Sequence, residues 1–100
     1  MKFTSLVAKA KIDRGAGNSS LVKVAKAYPS MVKAGPFNVG FFKISHSIPE
    51  AAGLVIDSPV GRIFHSGDFK IDESPVLGEP FNSKALSELG KTGITALICD

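Results

Sequence analysis

The apolar positions of the chain form short periodic segments separated by glycine and proline. In the first segment they recur at three- and four-residue steps, at Phe3, Leu6, Val7 and Ala10. This spacing predicts a helix over 3–14 that ends at Gly15. The following run, 21–28, mixes apolar residues with lysines and predicts a half-exposed strand closed by Pro29.

The next apolar segment changes phase partway along. One face of a predicted strand carries Phe37, Val39 and Phe41, and the other face carries Phe42 and Ile44. The change indicates either a bulge or a strand buried on both sides. His46 follows the end of this strand.

A hairpin is the clearest element of the second half. The β-prone runs 52–56 and 62–66 flank a loop over 57–61 that contains Pro59 and Gly61. Asp68 follows its second strand.

The last third of the sequence predicts a helix and a strand. Asn82 or Ser83 is a suitable N-cap, Leu86 and Leu89 share an inward face, and Gly90 ends the helix. The continuous apolar run 94–99 predicts a fully buried strand.

These elements predict a mixed α/β layer architecture, an incomplete mixed sheet with flanking helices, in one domain over 1–100. The chain ends directly after the apolar run, at Asp100, and its first helix has no earlier strand to cover. Such a sheet would expose edges and an apolar face. We therefore expect a piece of a larger fold, marginally stable or self-associating when isolated.

Composition narrows the class of protein. The 100 residues are 44% hydrophobic and 21% charged, which is typical of a globular chain. The single cysteine, Cys99, excludes an internal disulfide and favours a reducing, cytoplasmic setting. The sequence contains neither a signal-peptide pattern nor an apolar run long enough to span a membrane, so no membrane partner is expected.

Charge is unevenly divided along the chain. Residues 1–43 hold eight lysines or arginines and one acid, a net charge of +7, whereas residues 44–100 have a net charge of −4. The basic part could attract RNA through its phosphates. A solvated lysine-rich surface explains the same charge, so it identifies no partner by itself.

Two residues stand out as candidates for chemistry, because each follows an apolar strand at the sheet end where sites are commonly built. They are His46 and Asp68, and we expect their side chains to converge at the same edge of a β-sheet, because each follows a strand that should lie in that sheet. A histidine nitrogen and a carboxylate oxygen are both suitable zinc ligands. In most proteins, residues in such loops are structural.

Three segments resemble ribonuclease J, of the β-CASP branch of the metallo-β-lactamase fold. They are FFKISHSIPE (41–50), GRIFHSGDFK (61–70) and LICD (97–100), and the resemblance is strongest over 36–78. It implies part of an αββα sandwich and RNA phosphodiester hydrolysis at two divalent ions, with zinc expected. It also implies that His46 is a ligand of one metal and that Asp68 bridges both. His65 is not a ligand in this pattern, and we expect it to be buried and hydrogen-bonded.

The sequence also departs from the family pattern. No histidine precedes His46, so the first metal motif, His-x-His-x-Asp-His, is missing from these residues, and we expect no β-CASP domain within 1–100. Two ligands cannot close a zinc site. We expect weak or no metal binding and no activity from the chain alone, unless a complementary polypeptide or self-association supplies the rest. The alternative is a non-catalytic RNA- or protein-binding module that uses the basic residues 1–43.

Overall fold

A computed structural model describes residues 2–15, 17, 22–46, 50–71, 74, 76 and 80–100. Within them lie two helices and one five-stranded sheet: α1 Lys2–Arg14, β1 Met31–Ala34, β2 Phe37–Lys43, β3 Ala52–Ser58, β4 Gly61–His65, α2 Ser83–Gly90 and β5 Ala96–Ile98. Neither helix reaches the length and apolar character that crossing a bilayer demands, as far as the described residues extend.

The strands follow one another across the sheet in chain order. Strands β1 to β4 are antiparallel neighbours, whereas β5 is parallel to β4 and follows it through α2. The predicted mixed α/β sheet is thus confirmed. Because β2 and β4 are both antiparallel to β3, they run in the same direction. Their carboxyl ends therefore lie at the same edge of the sheet, and we call this edge the carboxyl edge.

The predicted hairpin is β3 and β4, with a turn formed by Pro59 and Val60. Ser58 pairs with Gly61 across the turn, and the Ser58 hydroxyl donates to the Gly61 carbonyl at 2.8 Å. A Cβ at Gly61 would lie 2.5 Å from the Thr95 hydroxyl oxygen. Glycine therefore lets the segment before β5 pack against the hairpin.

The core lies on one face of the sheet under α2. Its buried members are Phe42, Val55, Phe64 and Leu89. The Phe42 and Phe64 rings meet edge to face, with centroids 5.6 Å apart. Gly53 leaves the space for this pair, because a Cβ there would lie 3.0 Å from the Phe64 ring.

Helix α2 begins where the capping pattern predicts. The Asn82 side-chain oxygen accepts the Ala85 N–H at 2.9 Å and so satisfies one of the unpaired donors of the first turn. Leu89 is buried against the sheet and Leu86 is half-buried. The predicted helix and its inward face are both confirmed.

The phase change in β2 does not reflect a bulge. The register with β3 is continuous from Asn38 to Lys43. Phe42 is buried on the core face, and Phe41 is half-buried on the opposite face. The strand therefore carries apolar residues on both faces, but it is fully covered on only one.

Of the two predictions for the first third of the chain, one is confirmed and one is wrong. The predicted helix over 3–14 is present, and Leu6 and Val7 on it are exposed. Residues 22–26 are irregular instead of forming a strand, and Ala27 makes only an isolated bridge to Phe41. Leu21, the start of that predicted strand, lies outside the described residues. The edge strand is instead β1, which pairs with β2 through a turn at Gly35 and Pro36.

The prediction of a fully buried last strand is also wrong. Strand β5 is present, but Leu97 is 64% exposed and Ile98 is 50% exposed. It is a short edge strand that pairs with β4 alone within the sheet, so the described residues leave much of its surface uncovered. Beside it is an apolar cavity of about 480 Å³ lined partly by Phe69, Phe81 and Leu97.

An ion pair fixes the turn end of the hairpin. Arg62 donates from Nη2 to Asp57 Oδ2 at 2.7 Å and from Nε to the other carboxylate oxygen. Its Nη1 also donates to the Thr92 hydroxyl at 2.8 Å, which ties the hairpin to the segment after α2. The hydrogen bonds from Arg62 lower the pKa of Asp57 below its usual value.

This pair makes stability depend on pH. Its contribution is complete above the unfolded Asp pKa of about 3.9 and is lost as pH falls through the lower folded pKa. We expect Asp57→Asn to reduce the free energy of unfolding at pH 7 by about 0.2–1 kcal/mol, because the pair is partly solvent-accessible. Urea unfolding should show this difference disappearing near pH 2. Glu88→Gln, which breaks the exposed pair with Lys91, is the control and should cost less at pH 7; an equal cost would contradict the prediction.

Candidate metal-ligand pair at the carboxyl edge

His46 and Asp68 meet at the carboxyl edge of the sheet. Each follows the last residue of its strand by three positions, His46 after β2 and Asp68 after β4. His46 Nε2 lies 3.7 Å from Asp68 Oδ2. The side chains are 31% and 69% exposed, so both are accessible to a ligand from solvent. The predicted convergence is confirmed, whereas a role in metal binding stays a prediction.

A tight turn carries the chain from β4 to Asp68. Gly67 has a φ of +62°, in the left-handed region that glycine adopts without strain. The Gly67 N–H donates to His65 Nδ1 at 3.0 Å. His65 is therefore hydrogen-bonded as expected, but it is half-buried and not buried.

Two backbone contacts connect this turn to neighbouring segments. The Lys70 N–H donates to the carbonyl of Ser45, the residue before His46, at 2.7 Å. The Ser66 N–H donates to the Ile98 carbonyl at 2.8 Å. The Ser66 hydroxyl also accepts the Asp100 N–H at 3.4 Å, which brings the end of the chain to the same edge. Sequence patterns did not reveal these contacts, because the donor in each is a backbone N–H, which does not depend on the type of residue.

As far as the structure describes them, the other histidine and the carboxylates do not complete a metal site. Asp57 lies at the opposite end of β3 and pairs with Arg62. Asp72 and residues 47–49 lie outside the described residues. Among the residues that the structure describes, no group of three or more histidines, cysteines or carboxylates is close enough to hold a metal ion. The donor types of His46 and Asp68 suit zinc, but two donors are too few to close a site.

The basic first part of the chain is accessible to solvent. Several of its cationic residues are exposed, namely Lys2, Lys11, Arg14, Lys23, Lys26 and Lys33. They are spread over α1, an irregular segment and an edge strand. This spread does not define one binding groove.

Comparison with known proteins shows which proteins this sequence is similar to. The sequence is 36% identical over 99 residues to ribonuclease J of Corynebacterium glutamicum, covering 99% of this chain and 14% of that protein. It is 41% identical over 69 residues to ribonuclease J of Sinorhizobium meliloti, covering 69% of this chain and 12% of the relative. It is 46% identical over 63 residues to ribonuclease J 1 of Streptococcus pyogenes, covering 63% and 11%. No protein-family model matches the sequence.

The relatives are ribonucleases J, and this homology implies the metallo-β-lactamase fold. The mixed sheet of the chain agrees with that fold. The chain is a ribonuclease J-like sequence. It spans about one seventh or less of the length of the relatives just described, which agrees with its interpretation as a segment of a larger protein.

Proposed function

We propose that this chain is the segment of a ribonuclease J-like metallohydrolase that carries two of the metal ligands, His46 and Asp68. The complete protein would hydrolyse RNA phosphodiester bonds at a pair of divalent ions, with zinc expected. The observation that carries the proposal is the 3.7 Å approach of His46 Nε2 to Asp68 Oδ2 in a ribonuclease J-like sequence. A cytoplasmic location suits such a protein with a single thiol.

The two side chains suit different parts of such a site. An imidazole offers one nitrogen to one metal, whereas a carboxylate has two oxygens and can span two cations. When bound, paired divalent ions supply a hydroxide nucleophile and stabilise an in-line displacement. His46 and Asp68 would help hold these ions, and the remaining ligands, with the β-CASP part, would come from polypeptide outside these 100 residues or from a second copy.

The isolated chain should bind zinc weakly and should not cleave RNA, because it offers two donors where a closed site needs three or four. We expect a zinc titration followed by NMR to shift the His46 ring and Asp68 carboxylate signals together. His46→Ala and Asp68→Asn should each weaken this binding at least about tenfold.

Cys99→Ser is the control in that titration, because an exposed thiol could bind zinc by itself. Its zinc affinity at His46 and Asp68 should equal that of the unmodified chain. Zinc shifts confined to residues around Cys99, or metal-dependent RNA cleavage by the isolated chain, would contradict the proposal as stated.

The competing function is a non-catalytic module that holds RNA or a partner protein through the basic residues 1–43. The exposure of the lysines there supports it. It predicts salt-sensitive RNA binding that His46→Ala and Asp68→Asn leave unchanged. The metallohydrolase proposal is favoured, because the similarity to Corynebacterium glutamicum ribonuclease J extends over 99% of this chain and the two candidate ligands converge.

A further inference from the structure

We propose that His65 is a positioning residue that holds Asp68 at His46. The inference rests on the proposed function, because it gives His65 a role through the proposed ligand Asp68. His65 ends β4, and its Nδ1 accepts the Gly67 N–H at 3.0 Å. This bond spans the turn that redirects the chain from the strand to Asp68.

The turn between β4 and Asp68 is also held by hydrogen bonds of Ser66, the residue that follows β4. Ser66 is buried and continues the pairing with β5 through its N–H, which donates to the Ile98 carbonyl. Its hydroxyl donates to the Gly67 carbonyl at 2.7 Å. Both polar groups of the Gly67 backbone therefore have partners within the turn, the N–H on His65 and the carbonyl on Ser66.

The far side of Asp68 is fixed as well. The Lys70 N–H donates to the Ser45 carbonyl at 2.7 Å, next to His46. Asp68 thus lies between an anchor at Gly67 and an anchor at Lys70. Removing the imidazole acceptor would leave the Gly67 N–H without its partner in a half-buried turn, which is costly and allows the turn to rotate. The Asp68 carboxylate would then move away from His46.

The geometry also fixes the proton on the His65 ring. An Nδ1 that accepts a hydrogen bond is unprotonated, so the neutral ring carries its proton on Nε2. Asparagine places its side-chain oxygen about as far from the backbone as Nδ1. Glutamine places its polar atoms one bond farther away, close to Nε2. His65→Asn should therefore keep the turn, and His65→Gln should lose it.

Long-range ¹H–¹⁵N spectra of the full 100-residue chain test the bond directly. We expect the Nε2–H tautomer of His65 and slow exchange of the Gly67 amide, the latter preserved in His65→Asn and lost in His65→Gln. A nuclear Overhauser contact between the His46 ring and the Asp68 β-protons should follow the same order. The Nδ1–H tautomer, or an undisturbed contact in a folded His65→Gln variant, would overturn the inference.

Zinc titration adds the link to function. His65→Asn should bind zinc like the unmodified chain, and His65→Gln about 10–100-fold more weakly. A purely structural histidine would affect thermal stability in both variants without separating their zinc affinities, and equal affinities would overturn the positioning role. Zinc shifts of the unmodified chain that are confined to residues around Cys99 would contradict the proposed function, while the tautomer, exchange and Overhauser measurements still decide the role of His65.

Discussion

Replacing Phe64 with alanine is expected to lower the free energy of unfolding by about 3–5 kcal/mol. Phe64 is 5% exposed and packs edge to face on Phe42. Its ring also lies over Gly53. Because glycine has no side chain, nothing at this position can fill the cavity that the substitution creates. In so small a core, a loss of this size is comparable with the whole stability of a marginal domain.

Phe37→Ala is the matched control for this prediction. Phe37 begins β2, is 42% exposed and lies outside the core cluster, so removing the same ring there should cost much less. Urea unfolding of both variants, at concentrations where the chain is monomeric, measures the difference. Equal losses would show that the core does not lie where the structure places it.

The elements that sequence predicted well are those with local signals. Pro59 lies in the turn of the β3–β4 hairpin and Gly61 follows it, and Asn82 caps α2 with its own side chain. These features act over a few residues, so their spacing alone is informative. The hairpin directly precedes the turn that carries Asp68, and α2 is the helix that covers the core.

The failures concern properties that distant parts of the chain decide. The run 94–99 is apolar, yet β5 is exposed because burial depends on what packs over it. The lysine-rich run 21–28 has the alternation of a strand, yet it is β1 that pairs with β2, through the turn at Gly35 and Pro36. Periodicity describes which residues could share a face, and tertiary contacts decide whether that face is covered or paired.

The candidate site was predictable in part for a topological reason. The strands before His46 and Asp68 run in the same direction, so their carboxyl ends lie at one edge of the sheet. The family resemblance pointed to the same two residues. The hydrogen bond of His65 to Gly67 could not be predicted, because it depends on a turn conformation and a ring orientation that no residue pattern specifies.

We expect the largest effect on activity when His46 and Asp68 are substituted in a chimera of this chain and a relative. In this chimera, these residues replace the matching segment of Corynebacterium glutamicum ribonuclease J, to which they are 36% identical over 99 residues. We expect the chimera to cleave RNA only with a divalent metal. His46→Ala and Asp68→Ala should each reduce cleavage by at least about a hundredfold, the upper end of what residues merely supporting a ligand typically cost. Lys84→Ala, an exposed change on α2, should leave the rate unchanged.

The rate of RNA cleavage by this chimera is the most direct test that the chain carries two metal ligands of a ribonuclease. We expect metal-dependent cleavage that is lost in His46→Ala and Asp68→Ala, with unchanged thermal unfolding showing that both variants are folded. A folded chimera that does not cleave RNA, or one in which both variants cleave at the unmodified rate, would contradict it.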